Sequence, residues 1–333
     1  MPDQFISVII PTFNGASRIS HCIDALLHQS TTNSFEILIV DDGSTDDTAG
    51  VVQQFPRVRL LRQQNAGPAT ARNLGAREAK GEIVLFTDDD CVPVSDWIES
   101  MIAPFRDPKV VGAKGIYRSK QRELAARFVQ IEYEDRYRLM AMLPSIDFID
   151  TYSAAFRRDN FLAMNGYDTS FPVACAEDIE LSYRMSARGW VMLFAPDAIV
   201  YHTHPNSFGK YLKKKYKFAF WRVLAVRKNP AKAVKDSHTP QIMKLQLLFP
   251  PALLAAVLTD AIRRSALFSP IVLGAFLLST IPFAARAFRK DPVVGILAPF
   301  VLIARAFAQF SGVGVGLIRA RQKPIEVVSV RPA

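Results

Sequence analysis

The sequence predicts an α/β fold in which helices cover both faces of a mostly parallel β-sheet, followed by a C-terminal α-helical membrane segment. The first observation is that short apolar runs alternate with helix-like runs over residues 5–90. The second is that long apolar stretches fill residues 245–318. The third is a division of charge: the net charge is −7 over residues 1–200, +10 over 201–245 and +7 over 246–333.

The strands are predicted from short apolar runs that are bounded by turn residues. They cover 5–10, 35–40, 58–61 and 82–86. Helical spacing of apolar residues and typical helix starts predict helices between these strands, over 16–29, 45–55 and 67–79. The third helix begins with Gly67-Pro68, and proline suits a first turn because its missing N–H would have no intrahelical partner. This alternation indicates parallel strands joined by covering helices.

Composition excludes several classes of protein. Half of the 333 residues are hydrophobic, which excludes a disordered chain. Basic residues are concentrated after residue 200, so no nucleic-acid partner is predicted. Cys22, Cys91 and Cys175 form no CxxC pair, which indicates reduced thiols. The N-terminus has neither the basic nor the apolar region of a secretory signal, so we expect the sheet-forming part to lie in the cytosol.

Carboxylates follow two of the predicted strands. Asp41-Asp42-Gly43-Ser44 comes after the second strand, and Thr87-Asp88-Asp89-Asp90 after the fourth. Each motif alone could be a turn or a solvated loop, but ligands of such sheets bind beyond the carboxyl ends of the strands. Neither GxGxxG nor GxxxxGK[ST] occurs at the first turn, which disfavours a glycine-lined phosphate site. Carboxylates accommodate a diphosphate when Mg²⁺ or Mn²⁺ lies between them, so the sequence indicates a metal–nucleotide complex.

An ordered set of motifs runs along the first two hundred residues: VIIPTFN (8–14), VDDGSTD (40–46), NAGPATARN (65–73), LFTDDDCVP (85–93), TYSAAFRRDNFLAMNGYD (151–168), AEDIELSYRMSARGW (176–190) and APDAIVYHTH (195–204). This set resembles the motifs of family 2 inverting glycosyltransferases, which have the GT-A fold. The resemblance covers about residues 5–205 and implies a GT-A catalytic domain that binds a nucleotide-sugar, commonly one with uracil as its base.

The resemblance also implies the donor and metal contacts. The implied donor-binding residues are Pro11, Thr12, Asn14, Asp42, Arg72, Asp88 and Asp89. The implied metal ligands are Asp90, Asp88 and His202, with a surface histidine as the alternative for His202. Asp89 departs from the small residue that is usual between the two outer aspartates, so the roles within 88–90 stay open. His204, two residues along the same strand, is a weaker candidate for the metal.

For the acceptor side, the resemblance implies Asp178 as the catalytic base that deprotonates the attacking hydroxyl. One carboxylate base suffices for a single in-line displacement. The alternative is that Asp178 only stabilises the start of a helix. Glu177 and Trp190 are expected in the acceptor pocket, although Trp190 could instead be a packing residue.

The C-terminal part predicts attachment to a membrane. Residues 208–228 interleave lysine and arginine with aromatic residues, which favours an amphipathic helix at an anionic lipid surface. Of three apolar stretches, 266–285 and 292–318 reach the length of a span, whereas 245–259 is marginal. The distribution of arginine and lysine weakly favours two spans over three; a soluble helical domain is the other alternative. Arg305 should then face a neighbouring helix or a headgroup.

These observations predict a glycosyltransferase at the cytoplasmic side of the cell membrane. We expect a catalytic domain over 1–205, an interfacial segment over 206–244, membrane helices over 245–318 and a tail over 319–333. The expected reaction moves a sugar from a nucleotide-sugar, such as a UDP-sugar, to a lipid-linked or polysaccharide acceptor with inversion. The QxxRW motif of processive relatives is absent, which favours the addition of a single sugar over polymerisation. The alternatives are a polyprenyl-phosphate glycosyltransferase, a nucleotidyltransferase and a non-enzymatic membrane scaffold.

Overall fold

The computed structural model describes residues 5–171, 176–233 and 236–322. The chain divides into two compact units. The first, which we call the sheet unit, comprises Met1–Lys120, Tyr137–Thr203 and Asp236–His238. The second, the helical unit, comprises Gln121–Arg136, His204–Lys235 and Thr239–Ala333. Cys175 and most of the predicted tail, from residue 323 onward, lie outside the described residues.

The described residues of the sheet unit form one eight-stranded sheet with the order β3-β2-β1-β4-β7-β6-β8-β5. The strands are β1 Ile6–Thr12, β2 Phe35–Asp41, β3 Val58–Arg62, β4 Ile83–Phe86, β5 Val92–Pro93, β6 Val110–Arg118, β7 Ala154–Arg157 and β8 Val191–Tyr201. The first four are parallel, as predicted. Strand β7 is antiparallel to both of its neighbours, and β6 and β8 pair in parallel. The prediction of a mostly parallel sheet is therefore confirmed.

Helices connect and cover these strands. They are α1 Ile19–Leu27, α2 Thr48–Gln53, α3 Pro68–Glu78, α4 Trp97–Ile102, α6 Arg158–Ala163 and α7 Glu177–Ala187, with α5 Leu124–Met140 shared between the two units. Helix α3 packs on β1 and β2. Gly75 permits this close approach, because a Cβ there would lie 2.4 Å from a methyl carbon of Ile9.

The parallel register brings the carboxyl ends of the central strands to one edge. Strands β1 and β4 are completely buried, as expected for strands that are covered on both faces. Ile9 lies opposite both Leu38 and Phe86 in the register. The segments that follow Thr12, Asp41 and Phe86 therefore leave the sheet at the same edge, where the sequence predicts the ligand.

The helical unit contains the predicted basic helix and three apolar helical stretches. Its helices are α8 Phe208–Lys228, α9 Gln241–Gln246, α10 Phe249–Arg263, α11 Phe268–Lys290 and α12 Pro292–Gln322. By length and composition, Gln241–Arg263, Phe268–Lys290 and Pro292–Arg319 could each cross a membrane. The prediction of an apolar C-terminal helical segment is confirmed. The first stretch reaches span length because α9 precedes α10.

Most of α5, from Leu124 to Arg136, belongs to the helical unit, whereas the sequence analysis places it within the 1–205 domain. The reason is the apolar face of α5: Phe128, Val129 and Ile131 are buried in the core of the helical unit. Periodicity identifies such a face, but it does not identify the helices against which that face packs.

Arg305 is buried inside the helical unit and does not face lipid. Its guanidinium donates to Glu132 Oε1 at 2.8 Å and to Gln246 Oε1 at 2.6 Å, which confirms the prediction of a neighbouring helix. Lys215 also pairs with Glu132, at 2.6 Å. Burial alone would raise the pKa of Glu132, but Lys215 and the neighbouring arginines outweigh it and lower this pKa. Glu132 is therefore an ionised carboxylate that pairs with two buried cations, Lys215 and Arg305.

Candidate active site

The turn after β2 is organised by Asp42. Its carboxylate accepts hydrogen bonds from the backbone N–H of Ala66 at 2.9 Å and of Gly67 at 2.8 Å, and from Gln63 Nε2 at 2.7 Å. Gly43 has a φ of +76°, and a Cβ there would lie 2.8 Å from the backbone nitrogen of Asn65, in the loop between β3 and α3. Glycine is thus required at Gly43, and Asp42 fixes the loop that leads into α3.

The end of β1 is joined to the neighbouring turns. Pro11 is buried within β1. Thr12 donates its hydroxyl to Asp89 Oδ2 at 2.6 Å. Asn14 adopts a left-handed backbone conformation with a φ of 50°, and its side-chain oxygen accepts from Thr45 N at 2.9 Å. The residues that the resemblance assigns to the donor therefore lie together at one edge of the sheet.

Both carboxylate oxygens of Asp89 are engaged within the protein. Arg18 contacts Oδ1 through Nε at 2.8 Å and Oδ2 through Nη2 at 2.9 Å, and Thr12 occupies Oδ2 as well. The middle aspartate of the Asp88–Asp90 motif therefore connects β1, α1 and the end of β4. This arrangement gives a structural reason for an aspartate where the family resemblance leads us to expect a small residue.

Arg72 bridges two segments of the site from α3. Its guanidinium lies 2.7 Å from Asp88 Oδ1 and 3.4 Å from Glu177 Oε1. Arg72 and Glu177 are each only 2% exposed. Burial alone would lower the pKa of Arg72, but Asp88 and Glu177 raise it, so the guanidinium stays charged. The bridge holds the end of β4 to the start of α7.

Asn73 and Tyr167 belong to the same assembly, although the sequence analysis does not single them out. The side chain of Asn73 donates to the carbonyl of Tyr167 at 2.7 Å and accepts from its N–H at 2.8 Å. The ring of Tyr167 lies 5.8 Å from the Arg72 guanidinium carbon. Its buried hydroxyl has no hydrogen-bond partner among the described residues, and burial raises its pKa. Both residues lie inside motifs that carry the family resemblance, and this position is the signal by which the sequence could have identified them.

Asp90, Cys91 and His202 form a group that could hold a metal ion. One donor atom from each lies within 4.8 Å of the others, and His202 Nδ1 is 3.3 Å from Asp90 Oδ1. Burial opposes ionisation of Asp90, but His202 and Arg18 outweigh it and lower its pKa. Carboxylate and imidazole are suitable ligands for Mn²⁺. Cys91 was not predicted, although it directly follows the aspartates.

His204 has different surroundings, within the helical unit. Its Nε2 lies 3.0 Å from Gln130 Oε1, and its ring stacks on Tyr133. These contacts account for His204 without a metal. Alternation along a strand places two such histidines on one face, but β8 ends at Tyr201, so that rule does not extend to this pair.

Asp178 lies in the first turn of α7 beside Glu177. Helix α7 has Ala176 as its N-cap, so Asp178 is not the capping residue. One carboxylate oxygen of Asp178 accepts from the N–H of Ile179 at 2.7 Å. Burial of this carboxyl raises its pKa well above the ordinary value, and the charges of Glu177 and Asp150 raise it further. A carboxylate with a raised pKa is a stronger proton acceptor.

Trp190 follows the C-terminus of α7 and is half-buried. The guanidinium carbon of Arg188 lies 5.5 Å from the centre of its ring. The guanidinium of Arg188 thus lies over one face of the ring.

Comparison with known proteins identifies similar glycosyltransferases. Residues 7–163 match the family described as Glycosyl transferase family 2. Glycosyltransferase AglE of Haloferax volcanii is 29% identical over 224 residues, which cover 64% of this chain and 71% of AglE. An N-acetylglucosaminyltransferase of Rhizobium sp. (strain N33) is 24% identical over 317 residues, which cover 90% of this chain and 66% of that protein. The chain spans about half the length of some other relatives.

Among solved structures, the chain resembles mannosyltransferase PcManGT from Pyrobaculum calidifontis, determined in complex with GDP-Man and Mn²⁺. The TM-score is 0.63 at 20% identity, and the similarity covers 95% of this chain and 87% of that one. The family match and the similar proteins thus identify a glycosyltransferase, and the structural similarity shows a GT-A-like fold. More specifically, residues 7–163 carry the match to glycosyl transferase family 2. The prediction of a glycosyltransferase is confirmed over a nucleotidyltransferase or a non-enzymatic scaffold.

Replacing Arg72 tests the bridge between Asp88 and Glu177. Arg72→Met leaves Glu177 buried without its cation, and breaking a buried pair in this way costs about 3–5 kcal/mol. We expect that loss in the free energy of unfolding, measured by chemical denaturation of the purified protein. Arg77→Met, an exposed arginine on the same helix, is the control and should change stability by less than about 0.5 kcal/mol. Equal effects of the two substitutions would contradict the bridge.

Proposed function

We propose that the protein transfers a sugar from a nucleoside diphosphate sugar to a lipid-linked or polysaccharide acceptor, with inversion and with a divalent cation. One observation carries the proposal: Arg72 connects Asp88, next to the Asp90–His202 group, with Glu177, next to Asp178. A metal-type cluster and a basic carboxylate are thereby joined through the buried side chains of Arg72 and Glu177. This is the pairing that a metal-assisted displacement on a sugar requires.

For the donor, Asp90, Asp88 and His202 are the proposed ligands of Mg²⁺ or Mn²⁺. The bound cation would neutralise the negative charge of the diphosphate. The Mn²⁺ that accompanies GDP-Man in PcManGT supports a divalent metal here. Arg72 adds a positive charge next to Asp88.

The nucleoside part of the donor is proposed to contact Pro11, Thr12, Asn14 and Asp42. Their polar groups already bond to the protein, so we assign them the role of fixing the shape of the pocket. Asp89 acts on the donor indirectly, through Thr12 and Arg18. A UDP-sugar is the proposed donor, on the strength of the family resemblance.

For the acceptor, Asp178 is the proposed base. A hydroxyl that attacks the anomeric carbon must lose a proton, and the raised pKa of Asp178 suits it to accept that proton. Glu177 and Trp190 are proposed to shape the acceptor pocket. Glu177 is held by Arg72, which leaves Asp178 as the carboxylate of the Glu177-Asp178 pair that is not committed to a cation among the described residues.

The helical unit is proposed to attach the protein to the cytoplasmic side of the cell membrane. Large apolar side chains of α10, α11 and α12 are exposed, among them Ile262, Leu278 and Phe300. Contiguous exposed apolar surface of this kind indicates contact with lipid. Exposed Lys213 and Lys217 on α8 supply positive charge for anionic lipid headgroups.

Ion pairs in the helical unit support a hairpin of α10 and α11 as the part that crosses the bilayer. Asp135 on α5 pairs with Arg286 at 2.7 and 2.8 Å, and Arg127 on α5 bonds to Asp291 at 2.6 Å. The α11–α12 junction thus lies on the same side as α5. The sequence favours a different two-span arrangement, with spans at 266–285 and 292–318. That arrangement would place the α11–α12 junction outside the cell, on the opposite side of the membrane from α5.

Helix α12 is better suited to the interface than to a full span. Backbone atoms of α8 lie against its glycines: a Cβ at Gly312 would be 2.4 Å from the carbonyl oxygen of Tyr216, and one at Gly316 would be 2.7 Å from that of Phe220. Since α8 carries exposed lysines, lipid tails cannot surround the part of α12 that packs against it. In the connection between α10 and α11, three backbone N–H groups donate hydrogen bonds to the carboxylate of Asp260. These N–H groups therefore have partners within the protein and need no water.

The base is tested with Asp178→Asn. Asparagine keeps the shape of the side chain but cannot accept the proton, so the rate of transfer should fall about 10²–10⁴-fold. Donor affinity, measured by calorimetry, and thermal stability should stay near wild type. Near-normal transfer by the variant would place the base elsewhere, with Glu177 as the next candidate.

The metal ligands are tested with Asp90→Ala. Affinity for a nucleoside diphosphate in the presence of Mn²⁺ should fall at least tenfold, because a charged ligand of the cation is removed. Without the metal, affinity should hardly differ from wild type. Asp96→Ala, which removes an exposed carboxylate nearby, is the control and should leave both affinities unchanged. Mn²⁺-dependent binding that survives in Asp90→Ala would contradict the assignment.

The hairpin is tested by labelling single cysteines with a membrane-impermeant maleimide. Cys22 and Cys91 are buried, so a Cys175→Ser background suffices. In intact cells Ser265→Cys, between α10 and α11, should react. Arg289→Cys, at the α11–α12 junction, should react only after permeabilisation. Reaction of Arg289→Cys from outside would instead support the arrangement with spans at 266–285 and 292–318.

A further inference from the structure

Lys114 is a buried cation for which the proposed reaction so far has no role. It lies in β6, in an otherwise largely apolar run, and is 1% exposed. Its ammonium pairs with Asp150 and bonds to the hydroxyl of Tyr152 at 2.8 Å. The rings of Tyr137 and Phe148 lie 5.7 and 5.4 Å from its Nζ. Burying a lysine is costly unless it is paired, so this pair calls for an explanation.

Asp150 is fixed next to the turn of α7 that contains Asp178. Ser182 makes the connection: its hydroxyl oxygen accepts from the N–H of Ile149 at 3.0 Å and lies 2.7 Å from the backbone carbonyl of Asp178, to which it donates. Asp150 is itself buried. The charge on Asp150 therefore acts on Asp178 through a poorly solvated region.

The charged groups around Asp178 come from four segments. Glu177 and Asp150 are negative, and Arg72 from α3 is positive. The hydroxyl of Tyr167 lies near the same carboxylates. Each neighbouring carboxylate has its own buried cation, because Glu177 pairs with Arg72 and Asp150 pairs with Lys114. The protonation state of Asp178 thus depends on two neighbouring ion pairs, Arg72–Glu177 and Lys114–Asp150.

We propose that Lys114 is a positioning residue for the transfer reaction: it holds Asp150 and balances its charge, so that Asp178 can ionise and accept the proton of the acceptor. This inference rests on the proposed role of Asp178 as base. Lys114 acts through Asp150 and has no contact with the reacting atoms in this scheme.

The sign of the effect follows from the charges. Asp178 is active when it is ionised, so activity is lost as pH falls through its pKa. A negative neighbour raises the pKa of a carboxyl, and a positive one lowers it, by roughly 1–3 units at close range. Burial raises the pKa of Asp150, and Lys114 opposes that effect. Removing Lys114 leaves Asp150 and Asp178 without this counter-charge, so the two carboxyl groups hold a proton to higher pH and the loss of activity moves to higher pH. Removing the charge of Asp150 moves the loss of activity to lower pH.

The experiment is the pH dependence of kcat for transfer in wild type, Lys114→Met, Asp150→Asn and the double variant. We expect the acid limb of Lys114→Met to lie roughly 1 pH unit or more above wild type. That of Asp150→Asn should lie below wild type. The double variant should return close to wild type, because the pair is again neutral. On the high-pH plateau all four rates should agree within about threefold, with donor affinity unchanged.

A purely structural role for Lys114 predicts lower activity at every pH and no ordered displacement of the limb, and that result would overturn the proposal. If Lys114→Met does not fold, the pH profiles of Asp150→Asn and the double variant still test the proposal. Acid limbs that lie at the same pH in these two variants would refute the role of Lys114. Asp178→Asn separates this failure from failure of the proposed function. Activity retained by Asp178→Asn refutes both, whereas lost activity with unmoved limbs in the other variants refutes the role of Lys114 alone.

Discussion

The buried guanidinium of Arg72 is the interaction on which the arrangement of the sheet unit depends. Strand ends and the start of α7 bring several carboxylates to one edge of the sheet, where their mutual repulsion would separate them. Arg72 holds Asp88 on one side and Glu177 on the other, at 2.7 and 3.4 Å. Asn73, its neighbour on α3, fixes the backbone of Tyr167 from both sides. One turn of α3 thus connects the motif after β4 with the start of α7 and with Tyr167, which follows α6.

A large part of this arrangement could be predicted from the sequence because it depends on local patterns. Alternating apolar runs predict the order of β1 to β4, and the parallel register follows from the buried character of those strands. Arg72, Asp88 and Glu177 lie in motifs that the family resemblance covers. The bridge between them could not be predicted, because it joins residues 105 positions apart and requires the packing of α3 against the sheet.

Lys114 and Asp150 show the limit of such reasoning more clearly. Both stand in stretches without a recognisable motif, and their contact requires the pairing of β6 with the antiparallel β7. The sequence does contain one signal, a lysine within a largely apolar strand. Arg305 is likewise a charged residue in an apolar stretch, and the sequence predicts correctly that it faces a neighbouring helix. Its partner Glu132, however, lies 173 residues away in α5. A buried charge can be recognised from sequence, whereas its counter-charge cannot.

The contacts of Asp42 have a consequence for the energetics of ligand binding. The loop between β3 and α3 is anchored by two backbone N–H groups and one side chain that bond to this carboxylate within the protein itself. The conformational entropy of that loop is therefore lost when the chain folds and not when a ligand arrives. A molecule that binds beside it meets a surface that is already rigid, and its affinity is not reduced by the ordering of this loop.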